Sequence, residues 1–268
     1  MNFKDILVIT DVDGTLIDRN FTVGERNSRA IERFKRKGGH FAVATGRSLD
    51  SGAQYFEAIS PNNPSVILNG TVIYDFIEKK MIWNQPLQFE TAKLCVEKIH
   101  ERFPNTGIEV FSTTGIGVVH YNNFIHKHLS REGIDGNDPD IFDGRPLCKA
   151  LIADESDVIQ NIIAFTKTFE HKAVRFVTSS PYYLEMLPVN ADKGSALNEV
   201  IRLGGFSREQ VYAIGDYYND VELLKAAGFA AMPQNAPDDL KHLADLVVCS
   251  CDDGAVADLI EYIEQKVE

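Results

Sequence analysis

Short, wholly apolar runs mark both ends of this chain, and a different pattern fills its middle. Ile6-Leu7-Val8-Ile9, Phe41-Ala42-Val43-Ala44, Val66-Ile67-Leu68, Val211-Tyr212-Ala213-Ile214 and Leu246-Val247-Val248 show no alternation with polar residues. Such runs predict strands buried on both faces. Between them the period lengthens: Ala30, Ile31 and Phe34 share a helical face after Thr22-Val23-Gly24-Glu25, which has capping-box form. Lys37-Gly38-Gly39 stops that helix with cations at its negative end and a glycine beyond. Further helices are expected over 195–202, 220–227 and 255–266, with a short strand over 229–232. Helices alternating with fully buried strands predict right-handed crossovers and a parallel, Rossmann-type sheet covered on both faces.

Near residue 72 the style changes. Val72 to Phe76 and Met81 to Asn84 flank Ile77-Glu78-Lys79-Lys80 and read as a hairpin. Residues 86–187 then alternate half-polar strands (107–111, 117–121, 149–153, 174–178, 182–186) with helices at 91–102 and 157–168. Strands with one polar face describe an antiparallel α+β unit rather than more of the parallel sheet. The expected organisation is an α/β core of residues 1–85 and 188–268 interrupted by an α+β unit over 86–187.

Candidate chemistry gathers where the apolar strands end, the usual ligand position of a parallel sheet. The first strand runs into Asp11-Val12-Asp13-Gly14-Thr15. Two carboxylates one residue apart repel unless a cation lies between them, so a hard divalent ion and a nearby phosphate suit them; a polar strand end with a turn at Asp13-Gly14 would use the same residues. Thr45-Gly46-Arg47-Ser48 offers a hydroxyl, close backbone approach and free N–H groups to a phosphate, or equally a helix cap. Gly215-Asp216-Tyr217-Tyr218-Asn219-Asp220 holds more acids than capping one helix requires, which points to metal coordination. Lys193 opens a helix, where the macrodipole disfavours it; an anionic partner or simple solvation of its head explains it.

As an ordered set, Asp11-x-Asp13-Gly14-Thr15, Thr45-Gly46-Arg47, Lys193-Gly194 and Gly215-Asp216-x-x-Asn219-Asp220 resembles the haloacid dehalogenase superfamily of phosphatases. The inserted unit resembles the type IIB cap of the Cof-like sugar-phosphate phosphatases. The resemblance implies Asp11 as a nucleophile that becomes an aspartyl-phosphate, and Asp13 as the acid that protonates the leaving oxygen and then activates water. It further implies Thr45 and Lys193 as holders of the phosphoryl group, with Asn219 ordering phosphate or Lys193; Gly46 and Arg47 are expected beside the phosphate, with pairing to a core acid the alternative for Arg47. Mg²⁺ is expected on Asp11, the Asp13 carbonyl and Asp216, with Asp220 on the ion or next to it. A small phosphorylated metabolite, a sugar phosphate first, is the expected substrate. The alternatives are a phosphomannomutase-like phosphotransferase and a non-catalytic regulator that binds a phosphorylated ligand.

Composition narrows the partners. With 268 residues, 44% hydrophobic and 25% charged, the chain can bury substantial cores. Its net charge of −12 argues against nucleic acid or an anionic membrane surface. No stretch is long and apolar enough to span a bilayer, and a cytoplasmic monomer or homodimer is expected. Cys249 and Cys251 read as partly buried thiols at a strand end, and His126-Lys127-His128 as a solvated polar stretch. Asn69-Gly70 either borders the phosphate pocket or forms a tight turn.

Overall fold

The structure is a computed structural model and describes residues 2–267. In chain order it begins with strand β1 (Leu7–Thr10), helix α1 (Glu25–Arg36), β2 (His40–Val43) and α2 (Leu49–Ile59). The short β3 (Ser65–Ile67), β4 (Val72–Asp75) and β5 (Lys80–Asn84) follow. Next come α3 (Phe89–Arg102), β6 (Gly107–Ser112), β7 (Ile116–His120), α4 (Asn123–Glu132), β8 (Leu147–Ala153), α5 (Ser156–Thr166), β9 (Val174–Ser180) and β10 (Tyr183–Pro188). The chain closes with α6 (Lys193–Gly204), β11 (Val211–Ile214), α7 (Val221–Ala226), β12 (Phe229–Pro233), β13 (Leu246–Val248) and α8 (Ala255–Val267).

These elements form two units, one from the chain up to Asn84 and from Asp192 onward, the other Gln85–Ala191. In the first, five parallel strands lie in the order β13-β12-β11-β1-β2. Alternate residues of each strand face opposite ways. Leu7, Ile9, Ala42, Val211, Ala213 and Met232 join Leu197, Val200, Leu223 and Leu224 of α6 and α7 in one core. Helices α1 and α8 bury Ala30, Ile31, Phe34 and Val256, Leu259, Ile260, Ile263, and they pack on each other. Arg33 of α1 forks onto Glu264 of α8 at 2.9 Å, fixing that pair's register at its edge.

Two local expectations fail for physical reasons. No side chain caps α1: its N-cap is Gly24, and the Thr22 hydroxyl donates instead to Asp18, closing a loop ahead of the helix. The strand at Val66-Ile67 is not a full member of the parallel sheet. It pairs antiparallel with β4, in a three-stranded sheet β3-β4-β5, and meets the β2 segment through the parallel Ala44–Val66 bridge, the Thr45 N–H bonded to Val66 O and the Val43 N–H bonded to Ser65 Oγ. A three-residue strand followed by Leu68 and Asn69 in the left-handed region turns too soon to extend a longer ladder.

The inserted unit is an antiparallel sheet in the order β7-β6-β8-β10-β9. Ile108, Val110, Ala150, Ile152, Leu184 and Met186 on one face bury against Cys95, Val96 and Ile99 of α3 and Ile159 and Ile162 of α5. It runs past residue 187: the Val189 N–H bonds Ala173 O, and the Arg175 guanidinium grips Ala191 O at 2.6 and 3.0 Å. His126-Lys127-His128 lies on α4, where His126 and Lys127 are exposed as expected and only His128 turns inward. His128 is buried, with Nδ1 2.9 Å from a carboxylate oxygen of the fully buried Glu109 on β6. A polar tripeptide on a helix still presents one side inward, and Ile125 and Leu129 lie on that side.

Candidate active site

β1 is the strand at which the parallel order reverses, flanked by β2 on one side and β11 on the other. Segments leaving the carboxyl ends of three adjacent strands therefore converge on one crevice. Each carries one of the motif clusters.

Asp11 continues β1 by one residue, its N–H bonded to Ile214 O at 2.8 Å, and its side chain is buried. The chain then turns through Gly14 at φ +74°. A β-carbon there would lie 2.5 Å from Asp216 Oδ2, so only glycine lets the first loop lie against the loop after β11. Thr15 completes that contact by donating its hydroxyl to Asp216 Oδ1 at 3.0 Å.

Neither acid of the third loop caps α7. Asp220, wholly buried, curls back so that Oδ2 accepts the N–H groups of Asp216 (3.0 Å) and Tyr217 (3.2 Å). Its Oδ1 accepts from Lys193 Nζ at 2.6 Å. Lys193 is the first residue of α6, whose start is closed by an Asp192–Ser195 capping box. The ammonium lies 1% exposed between Asp220 and Asp11, 2.5 Å from Asp11 Oδ1. The lysine that is misplaced at a helix terminus is thus the cation shared by two buried carboxylates.

Burial pushes Asp11 well above the ordinary carboxylate range; Lys193 pulls it down, and Asp220, Asp216 and Asp13 push it further up. Burial and then Asp220 raise Asp216 to about 7. Burial works against the charge on Lys193, but Asp11 and Asp220 outweigh it and raise its proton affinity. Two buried carboxylates and the half-buried Asp216 thus face a single ammonium, an excess of negative charge in a poorly solvated place. Ligand oxygens of Asp11, Asp216 and Asp220 lie within 4.8 Å of one another. This set of hard oxygen donors with uncompensated charge fits a divalent ion such as Mg²⁺. Asp220 already serves Lys193 and two N–H groups, so Asp11 and Asp216 are the freer ligands.

The second loop holds the remaining expected residues. Thr45 is fully buried, with its hydroxyl oxygen accepting the Arg47 N–H at 3.1 Å. Gly46 lies against Asn69, whose side chain would be 3.1 Å from an added β-carbon. Asn219 Nδ2 donates to Asn69 Oδ1 at 3.4 Å, and so ties the third loop to the turn after β3. The Asp13 carboxylate does not join the acidic cluster. Arg47 takes both of its oxygens, Nε to Oδ2 at 2.8 Å and Nη2 to Oδ1 at 2.7 Å.

Sequence reasoning leaves out Asn235, whose Nδ2 donates to Gly14 O at 2.8 Å while Oδ1 accepts the Cys251 N–H at 2.9 Å. It also gives no partner to Thr15. Nothing in the local sequence signals Asn235; its position after β12, one more strand of the same sheet, is the available clue.

A pH-dependent response to metal follows from this electrostatics. Asp216 is raised in the folded state, so its contribution to stability is full below the ordinary carboxylate pKa and lost as pH rises through about 7. An ion that replaces the proton restores it. The rise in thermal midpoint produced by Mg²⁺ over EDTA should therefore be small at pH 5 and grow through pH 7 to 8. A Mg²⁺ effect that is constant across that range, in melts at matched ionic strength, contradicts a metal on Asp216.

Residues 8–260 match the family model of haloacid dehalogenase-like hydrolases. A 5-amino-6-(5-phospho-D-ribitylamino)uracil phosphatase of Bacillus subtilis is 25% identical over 260 residues, covering 96% of this chain and 94% of its own length. A solved haloacid dehalogenase-like hydrolase from Bacteroides thetaiotaomicron superposes with a TM-score of 0.85 at 24% identity, over 97% of this chain and 100% of its own. A solved sugar phosphatase of haloacid dehalogenase subclass IIB gives 0.82 at 17% identity, over 97% and 99%. Among the described residues no helix is long and apolar enough to cross a membrane.

Proposed function

The chain belongs to the haloacid dehalogenase-like hydrolases, and from that premise we propose that it is a Mg²⁺-dependent phosphatase of small phosphorylated metabolites, sugar phosphates first among them, working through an aspartyl-phosphate. The observation that carries the reading is Lys193, buried between Asp11 and Asp220 at the strand where the sheet order reverses. A buried ammonium with a surplus of carboxylates around it suits an anion that arrives with a metal ion.

In this reading an Asp11 carboxylate oxygen attacks phosphorus in line as the ester P–O bond breaks, and Asp13 gives its proton to the departing oxygen. Asp13 then takes a proton from water, whose oxygen attacks phosphorus; the acyl-phosphate P–O bond breaks and returns Asp11 with inorganic phosphate. Mg²⁺ would be held by Asp11, Asp216 and the Asp13 carbonyl beside Asp220, and would offset charge on the transferring group. Lys193 fixes Asp11 and faces the phosphoryl oxygens with Thr45, while Asn219 and Gly46 shape the loop around them. Unlike a serine hydroxyl, a carboxylate needs no deprotonation to attack. All of these residues lie outside Gln85–Ala191, so we assign to the inserted unit the selection of the leaving group, the role of a cap.

Release of inorganic phosphate from a panel of sugar phosphates, a phosphorylated ribitylaminouracil and an aryl phosphate tests the reading. Turnover of at least one, abolished by EDTA and restored by Mg²⁺, is the expected result. Unchanged rates after chelation verified by metal analysis remove the metal from it, and no release from any member removes the phosphatase.

A further inference from the structure

The Arg47 guanidinium is occupied on every side. Besides its two bonds to Asp13, Nη1 donates to Ser51 O at 3.0 Å, and the plane lies over the Tyr55 ring with its carbon 4.9 Å from the centroid. Each of its three nitrogens is engaged, and the side chain is 5% exposed. Asp13, by contrast, is 48% exposed. Ser51 and Tyr55 are one turn apart on α2, so the helix holds the arginine and the arginine holds the carboxylate. A fork of this kind fixes the plane of a carboxylate as well as its place.

We propose that Arg47 acts through Asp13: it is a positioning residue that sets where the Asp13 carboxylate sits, and not a ligand of the substrate phosphate. The proposal rests on the phosphatase reading above. A guanidinium meant for phosphate would present a free edge to the crevice, whereas here its Nε edge is spent on Asp13 and its Nη1 on the helix. Asp13 matters to the first half-reaction only in so far as the leaving oxygen needs a proton. Arg47 should therefore matter in the same proportion.

The test compares kcat/KM for a sugar phosphate, whose alkoxide must be protonated, with that for acetyl phosphate, whose carboxylate leaves unaided. Arg47→Gln should lower the first by ~10²-fold, the scale of a general-acid contribution, and the second by less than ~5-fold. The inhibition constant of inorganic phosphate should move less than ~3-fold. In an Asp13→Asn background, Arg47→Gln should add less than ~3-fold, since residues acting as one unit are not additive. Arg47→Lys, which keeps the charge but cannot fork, should resemble Arg47→Gln, and it carries the test if the glutamine variant melts early. Equal losses on both substrates, weaker phosphate inhibition, or full additivity with Asp13→Asn would overturn the proposal. A wild-type protein that turns over neither substrate overturns the phosphatase reading instead.

Discussion

Asp11→Asn should lower kcat by more than ~10³-fold for every substrate, with the fold unchanged. The amide matches the carboxylate in shape, so the contacts around β1 have no reason to rearrange. It has no charge to attack phosphorus with and is a poor ligand for a hard cation. Stability should hold or rise. Asp11 is buried among Asp220, Asp216 and Asp13, all of which disfavour its charge, and the substitution removes one of the crowded negatives while Asp220 still pairs Lys193. The measurement pairs single-turnover phosphate release with a thermal melt. Loss of activity with an unchanged or higher midpoint is the expected pair of results. Retention of a tenth of wild-type kcat in pure protein ends the assignment of Asp11 as nucleophile, and a collapsed midpoint would mean that the loss came from unfolding.

The parallel sheet and the residues at its strand ends are legible because they are local in sequence. An unbroken apolar run names a buried strand, and the residues that follow it are where a parallel sheet binds its ligand. Asp11, Thr45 and Asp216 are each found within two residues of such a run. What joins them is not local. The Arg47–Asp13 fork spans 34 positions and the Lys193–Asp11 pair 182, and no periodicity encodes either. Asn235 reaches Gly14 across 221 positions, through a side chain that in sequence looks like any turn residue. β3 is misread because three apolar residues look the same in a parallel strand and in the first arm of an antiparallel turn. The left-handed Leu68 and Asn69 decide between them, and only the folded backbone shows their φ. His128 is misread because its neighbours His126 and Lys127 are polar, whereas its buried partner Glu109 lies on another element.

Lys193→Met should impair both stability and catalysis, and the two losses can be separated. Removing the ammonium leaves Asp11 and Asp220 buried without their shared cation, a change on the scale of about 3–5 kcal/mol when one partner of a buried ion pair is lost. Methionine fills nearly the same volume, so packing contributes little to that figure. Asp220→Asn in the same chain removes one of the stranded charges and should recover part of the lost thermal midpoint. It should not recover activity. Lys193 is what draws the Asp11 proton affinity down against burial and three neighbouring acids. Without it the nucleophile stays protonated to higher pH, so the acidic limb of kcat/KM should move upward in both the single and the double variant. Loss of the ammonium also withdraws charge from the transferring phosphoryl group, so kcat should fall by ~10³-fold whatever the leaving group. Recovery of turnover along with the midpoint in the double variant would reduce Lys193 to a structural counterion, and a loss confined to one class of substrate would place it on the leaving group instead of the phosphate.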